Sequence, residues 1–151
     1  MRIGRERKHL GEPTLKGAFA FDSGVIIEML LGTPHGESVV DALAADSLTA
    51  YTSEVNVSEA GYILCRKLGD GEAAGKINTL LRSNYLSIIE AERLREEVVK
   101  IKCSRAIALA DCYCLAVAKV TGSRALFAFK EEELRREISK RPFDVSISFL
   151  T

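Results

Sequence analysis

Five short apolar segments, each four to six residues long, alternate along the chain with longer segments of helical periodicity. A short apolar segment between polar turns is typical of a buried strand, whereas apolar residues spaced three and four apart are typical of a helix packed on a core. Successive strand, helix and strand units form right-handed crossovers, which make the strands parallel and place helices on both faces of the sheet. The sequence therefore predicts a three-layer α/β/α sandwich with a mainly parallel sheet of four to five strands. The predicted strands cover residues 18–21, 48–51, 86–89, 125–129 and 145–150, and the predicted helices cover residues 25–30, 36–45, 55–68, 72–81, 91–101, 107–120 and 131–140.

Length and composition are those of one globular domain. The chain has 151 residues, of which 47% are hydrophobic and 28% are charged, so it can bury a core and lacks the charge-rich composition of disordered proteins. Its 21 basic and 21 acidic residues cancel, so binding to nucleic acid would need a local basic patch. No apolar segment approaches the ~20 residues that cross a bilayer, and no secretory signal pattern is found, so we expect a cytoplasmic protein without a membrane span.

The beginning of the chain differs in composition from the remainder. Residues 1–17 carry five basic and two acidic side chains and little apolar periodicity. We therefore expect a flexible, basic N-terminal extension over residues 1–17, followed by one domain over residues 18–151.

Three acidic residues fall near junctions between predicted strands and the helices that follow them. Asp22 comes directly after the first strand, and Glu59 lies in the first turns of the helix after the second strand. Asp111 lies near the start of an alanine-rich helix, where a carboxylate among small apolar residues needs a partner. Because ligands of open parallel sheets bind at the carboxyl ends of the strands, these carboxylates could share one Mg²⁺ or Mn²⁺.

Other interpretations of these acids remain open from the residues alone. Asp22 could simply cap the following helix, whose N-terminus attracts negative charge. Glu54 lies nearer to the strand end than Glu59 and could take its place. An aspartate after a strand also occurs in phosphorelay receiver domains. Those domains need an acidic pair before the acceptor, which this chain lacks, although Lys130 could serve as their lysine.

The order and spacing of the motifs resemble the PIN domain family over about residues 18–150. The resemblance rests on Phe21-Asp22-Ser23 before an apolar helix, on Asn56-Val57-Ser58-Glu59, on Ala108-Leu109-Ala110-Asp111 followed by Leu115-Ala116-Val117-Ala118 and Gly122, and on Ala125-Leu126-Phe127. It implies that Asp22, Glu59 and Asp111 are catalytic acids that bind Mg²⁺ or Mn²⁺, with Glu59 rather than Glu54 in that role. It also implies that Ser23, the hydroxyl residue after the first acid, and Asn56 contact the substrate.

One departure from the family pattern concerns a fourth acid. PIN domains often carry a threonine and, two residues later, an aspartate at the end of the fourth strand, where this chain has Ala128 and Lys130. Glu131 could reach inward and replace the missing carboxylate, with Glu133 as a second candidate. Acidic residues are, however, also favoured in this place because they begin a helix.

The resemblance implies a VapC-like, metal-dependent endoribonuclease that hydrolyses phosphodiester bonds of single-stranded RNA. It further implies a toxin of a VapBC-type pair, neutralised by a separate antitoxin protein, and a homodimer. Arg66, Lys67 and Arg82 are basic residues that could line the path of the RNA. The alternative is a catalytically weakened or inactive PIN-like binding or assembly module, for which Lys130 in place of the fourth acid is the main argument.

Overall fold

The computed structural model describes residues 15–151, which form five strands and seven helices in alternating groups. The strands are β1 (Gly17–Phe21), β2 (Leu48–Ser53), β3 (Leu86–Ile89), β4 (Arg124–Phe127) and β5 (Ile147–Phe149). The helices are α1 (Ser23–Leu31), α2 (Pro34–Ala44), α3 (Glu54–Leu68), α4 (Asp70–Arg82), α5 (Ala91–Ser104), α6 (Leu109–Thr121) and α7 (Glu132–Lys140).

All five strands are parallel and form one sheet in the order β3-β2-β1-β4-β5. Strand β1 is central, because Ala20 pairs with Tyr51 on one side and with Ala125 on the other. The chain first builds the sheet outward from β1 through β2 to β3 and then returns to the opposite side with β4. Such a reversal leaves a crevice at the carboxyl ends of β1 and β4, which is where open sheets bind ligands.

The core lies in two layers, one on each face of the sheet. Alternate residues of a strand point to opposite faces, so Phe19 and Phe21 join one apolar cluster while Ala20 joins the other. The first cluster includes buried side chains of α1, α2, α3 and α4, and the second includes those of α5, α6 and α7. The predicted three-layer α/β/α sandwich is therefore confirmed, with a sheet that is entirely parallel.

The ends of several elements differ from the prediction. Strand β4 ends at Phe127, and Phe129 is exposed in a turn closed by a hydrogen bond from Glu131 N to Phe129 O of 3.1 Å. Helix α6 begins at Leu109 rather than at residue 107, because the backbone of its N-cap residue Ala108 is extended (φ −61°, ψ 149°). Residues 1–14 of the predicted basic extension lie outside the described residues.

The loop before α6 is fixed by a single buried guanidinium group. Arg105 donates hydrogen bonds to the backbone oxygens of Glu137 (3.0 Å), Arg141 (2.6 Å) and Pro142 (3.0 Å), all at the end of α7 or just beyond it. Its guanidinium carbon also lies 3.9 Å from the centroid of the Phe143 ring. Arg105 thereby joins the approach to α6 to the far end of α7.

Within residues 15–151, every helix is too short or too polar to span a lipid bilayer.

The packing of α1 on α2 leads to a test of the fold at Gly36. A β-carbon at Gly36 would lie 1.9 Å from Glu28 O, whereas Gly75 in α4 has no neighbouring atom within 4 Å of the same position. We expect Gly36→Ala to lower the free energy of unfolding by at least about 2 kcal/mol, because the two helices must separate. Gly75→Ala should raise it by about 0.5–1 kcal/mol, since alanine favours the helix. Urea unfolding measures both, and a Gly36→Ala variant as stable as the parent would contradict the described packing.

Candidate metal centre

Asp22 stands at the point where β1 passes into α1. Its backbone N donates to Leu126 O at 3.0 Å, which ties it to the neighbouring strand β4. Its carboxylate oxygen Oδ1 accepts a hydrogen bond of 2.6 Å from Gly24 N and so caps α1. The capping interpretation is therefore correct, but it does not exclude a second role, because capping engages Oδ1 and leaves Oδ2 for other partners.

Ser23 joins Asp22 to Glu59. The hydroxyl of Ser23 is buried, and its Oγ lies 3.1 Å from Asp22 Oδ1 and hydrogen bonds to Glu59 Oε1 as well. Glu59 belongs to the second turn of α3, whereas Glu54 is exposed at the start of that helix and lines a separate groove between α3 and α4. Of the two acids that the sequence left open, Glu59 is the one that reaches the end of β1.

Asp111 lies in the first turn of α6 and faces the same group of acids. Its pKa is raised to about 7, mainly by burial and then by the negative charges of Asp22, Glu131 and Glu59, in that order of strength. Burial likewise raises the pKa of Asp22 to about 6, to which the charge of Glu59 also contributes. Since such repulsion requires proximity, residues far apart in the sequence are brought together at the carboxyl end of the sheet.

The chemistry of this group fits a divalent cation. Within residues 15–151, no lysine or arginine forms a salt bridge with Asp22, Glu59 or Asp111, so no cation of this part of the chain neutralises their negative charge. Hard cations such as Mg²⁺ and Mn²⁺ take such oxygen donors. As the side chains lie, no three Asp, Glu, His or Cys residues in the described part of the chain are close enough to ligate one ion. Binding therefore requires these carboxylates to turn toward each other.

The position of the missing fourth acid can now be described. The Nζ of Lys130 lies over the Phe149 ring in β5, 5.6 Å from the ring centroid, and forms no salt bridge with an acid of residues 15–151. Glu131 is the N-terminal cap residue of α7, and its side chain makes no capping hydrogen bond. The charge of Glu131 raises the pKa of Asp111 more than the charge of Glu59 does. The charge of Glu133 raises it less than either of them. Of the two substitutes that the sequence suggested, Glu131 is the better placed.

A buried alanine occupies the place of the family's threonine. The side chain of Ala128 is buried, and a β-carbon at Gly24 would lie only 2.9 Å from the Ala128 Cβ and 3.4 Å from Asp22 Oδ2. Gly24 therefore lets the start of α1 approach the end of β4 closely, and this approach helps to bury the Asp22 carboxylate.

Asn56 does not lie where the sequence prediction required it. Only 1% of its surface is exposed, and its side chain hydrogen bonds to Ser53 and to the backbone of Ala110. A substrate could not reach it without opening the core, so direct substrate contact does not fit this position. Sequence reasoning also missed Thr52, which is fully buried and donates to Phe21 O at 2.9 Å. The available signal was the pair of hydroxyl residues that ends the apolar strand β2.

Comparisons with known proteins identify the family and the fold. The family model for the PIN domain matches residues 19–137, a stretch that includes Asp22, Glu59, Asp111 and Glu131. No curated protein matches the chain.

Several solved structures share the fold. One is VapBC2 from Rickettsia felis bound to a promoter DNA fragment (14% identity, TM-score 0.62, 88% of this chain and 98% of that chain covered). Another is DNA-bound VapBC from Salmonella typhimurium (11% identity, TM-score 0.65, 91% and 99% covered). A third is VapC20 from Mycobacterium tuberculosis, described as a sarcin-ricin loop cleaving toxin (15% identity, TM-score 0.59, 78% and 93% covered).

The gathered carboxylates imply that stability depends on pH in the metal-free protein. The pKa values of Asp111 (about 7) and Asp22 (about 6) lie above the ordinary 3.8, so the folded protein holds protons that the unfolded chain has already released. The stability gained from these protons is complete below about pH 4 and is lost as pH rises through 6 and 7. We therefore expect the melting temperature in EDTA to fall between pH 5 and pH 8. Removal of the charge at one acid should restore part of the loss.

Asp111→Asn is the variant that tests this. At pH 8 in EDTA it should melt several degrees above the parent, at about 2–4 °C per kcal/mol for a domain of this size. Addition of Mn²⁺ should raise the melting temperature of the parent but not that of the variant. Glu54→Gln, at an exposed acid outside the group, is the control and should change the melting temperature by only about a degree. If Asp111→Asn melts at or below the parent temperature at pH 8, the described repulsion is absent.

Proposed function

Because the chain belongs to the PIN domain family, whose members are nucleases, we propose that it is a metal-dependent endoribonuclease. In this proposal Asp22, Glu59 and Asp111 hold one Mg²⁺ or Mn²⁺. The observation that carries it is the gathering of these acids from three separate elements with no cation of the described residues to neutralise them. Such an arrangement does not stabilise the protein, because burial of each carboxylate raises the free energy of its ionised form.

The residues of the site would act mainly by binding and orientation. The Ser23 hydroxyl lies between the carboxylates of Asp22 and Glu59, within hydrogen-bond distance of both, and can donate its one proton to either of them. Asp111 keeps its proton up to about neutral pH in the metal-free protein. Asp111 would have to release this proton to hold a cation, so metal affinity should rise from pH 6 to pH 8. When bound, the cation supplies Lewis-acid polarisation of the phosphate and a water that is more easily deprotonated.

Glu131 is proposed as the fourth carboxylate of the site. Two observations support this proposal. The charge of Glu131 raises the pKa of Asp111, and the Glu131 side chain makes no capping hydrogen bond to α7. Glu131, the N-cap residue of α7, would then replace the aspartate that PIN domains often carry two residues after a threonine at the end of the fourth strand.

The proposed substrate is single-stranded RNA, and the proposed partner is an antitoxin protein of the VapBC type. One similar structure is described as a sarcin-ricin loop cleaving toxin, another as a toxin-antitoxin complex from Klebsiella pneumoniae, and a third as VapBC2, and these descriptions support both parts of the proposal. Arg66 is a candidate contact for RNA, since it lies over the exposed ring of Tyr62 at 5.0 Å, in the groove between α3 and α4. Lys67 and Arg82 remain further candidates. A homodimer in the cytoplasm completes the proposal.

The competing function is a PIN-like module that binds or assembles without catalysis. The observation in its favour is the absence of an acid at position 130. The argument from position 130 is weaker than the sequence suggests, because the Lys130 ammonium lies over the Phe149 ring.

A cleavage assay separates the two functions. Purified protein with Mn²⁺ should cleave single-stranded RNA, and Asp22→Asn and Asp111→Asn should each lower the rate at least about 100-fold, since each removes a proposed ligand of the cation. Glu96→Gln, at an exposed acid of α5 outside the site and outside the groove between α3 and α4, should retain the parent rate. Unchanged cleavage in both Asp variants would reject the site, and an inactive parent that still binds Mn²⁺ would favour the binding module.

The fourth carboxylate has its own test. Glu131→Gln should weaken Mn²⁺ binding about 3-fold to 10-fold, because it removes one nearby negative charge, while Glu133→Gln should change the affinity by less than about 2-fold. Isothermal titration of the two variants compares acids two residues apart on the same helix start. An equal effect of both substitutions would mean that Glu131 acts only through the general negative charge of this region.

A further inference from the structure

We propose that buried polar side chains at the junction of β2 and α3 are positioning residues that set the spacing of the metal-binding acids. These side chains, named here the β2–α3 corner, are Thr52, Ser53 and Asn56. The inference rests on the proposed function, since it concerns the same cation site. It assigns to Asn56 a role different from the substrate contact that the sequence suggested.

One end of the corner holds the backbone just before Asp22. Thr52 is fully buried in β2, and its Oγ1 donates a hydrogen bond of 2.9 Å to Phe21 O. Phe21 directly precedes Asp22, so this bond restrains the peptide group from which the Asp22 side chain departs. The bond joins residues 31 positions apart in the sequence, and it adds to the regular pairing of β1 with β2.

The other end of the corner holds the backbone just before Asp111. Asn56 Nδ2 donates a hydrogen bond of 3.0 Å to Ala110 O, across 54 positions of sequence. The opposite atom of the same amide, Oδ1, accepts a hydrogen bond of 2.5 Å from Ser53 Oγ. Ser53 Oγ in turn accepts from Asn56 N at 3.1 Å and caps α3. The orientation of the Asn56 amide is thus determined on both sides.

The corner itself begins the helix that carries Glu59. Asn56 and Glu59 are three residues apart on α3. The hydrogen bond from Asn56 to Ala110 O therefore joins α3, which carries Glu59, to α6, which carries Asp111. All three proposed ligands are therefore positioned relative to one buried group of side chains. Each Asp is held through the carbonyl of the residue before it.

Ser53 caps α3, but a purely structural role would not require the hydroxyl of Thr52 or the amide of Asn56. Burying hydroxyl and amide groups costs free energy that hydrogen bonds only offset, and apolar residues of similar volume could fill the same space. A supporting contact around a metal site has a different effect, because it fixes the ligands against their mutual repulsion. Loss of such supporting contacts typically weakens metal affinity about 10-fold to 100-fold.

The test compares Thr52→Val with Thr52→Ser. Valine keeps the shape of threonine but removes the hydroxyl, whereas serine keeps the hydroxyl and so the bond to Phe21 O. Mn²⁺ affinity is measured by isothermal titration at 20 °C on protein that is fully folded by circular dichroism, together with the rate of RNA cleavage. We expect Thr52→Val to weaken Mn²⁺ binding about 10-fold or more and Thr52→Ser to remain within about 2-fold of the parent.

Asn56→Leu tests the other end of the corner and should also weaken Mn²⁺ binding about 10-fold or more. Leu94→Ala, in the second apolar cluster on α5, is the control for lost stability. It should lower the melting temperature but leave the Mn²⁺ affinity of the folded protein unchanged. If Asn56→Leu does not fold, the comparison of Thr52→Val with Thr52→Ser still decides.

Two negative results have different meanings. If the parent does not bind Mn²⁺, or if Asp111→Asn binds it equally well, the proposed function is wrong and the inference is wrong with it. If the parent binds Mn²⁺ and Asp111→Asn does not, but Thr52→Val and Asn56→Leu bind as tightly as the parent, only the inference is overturned. The corner would then stabilise the fold without setting the site.

Discussion

Repulsion between half-buried carboxylates is the constraint that the surrounding structure has to meet. Asp22 and Asp111 approach each other at the carboxyl edge of a parallel sheet, and burial makes each charge more costly there than in water. A loose scaffold would relieve the cost by letting the side chains turn outward to solvent. The central position of β1, the Ser23 hydroxyl between two acids and the ties to the neighbouring strands all oppose that movement.

The fold was open to prediction because its main determinant is periodic and local. Short apolar segments separated by amphipathic helices are enough to predict parallel strands covered on both faces, and the position of Asp22 directly after β1 follows from the same pattern. The ends of elements were less accessible. Phe129 continues the apolar segment but lies in an exposed turn, since the pairing of β4 with β5 ends at Phe127. That limit is set by the partner strand and not by the residues of β4.

The site was only partly open to prediction. Its acids could be named because charged residues in apolar surroundings need an explanation, but the side chains that hold them are polar residues of ordinary appearance. Thr52 and Asn56 act across 31 and 54 positions of sequence, and nothing local indicates their partners. Which of Glu131 and Glu133 lies nearer to Asp111 likewise depends on the direction in which α7 runs from the end of β4. Arg105 contributes to that direction by joining the approach to α6 to the end of α7.

The close approach of Gly24 to Ala128 also limits how this sequence can diverge. A β-carbon at position 24 and the one present at position 128 would occupy overlapping space, with their centres 2.9 Å apart. The two positions are therefore sterically coupled. A larger residue at position 128 requires glycine at position 24 or a shift of the start of α1. Loss of the glycine requires a shift of the backbone at the end of β4. Substitutions there should be inherited together rather than independently.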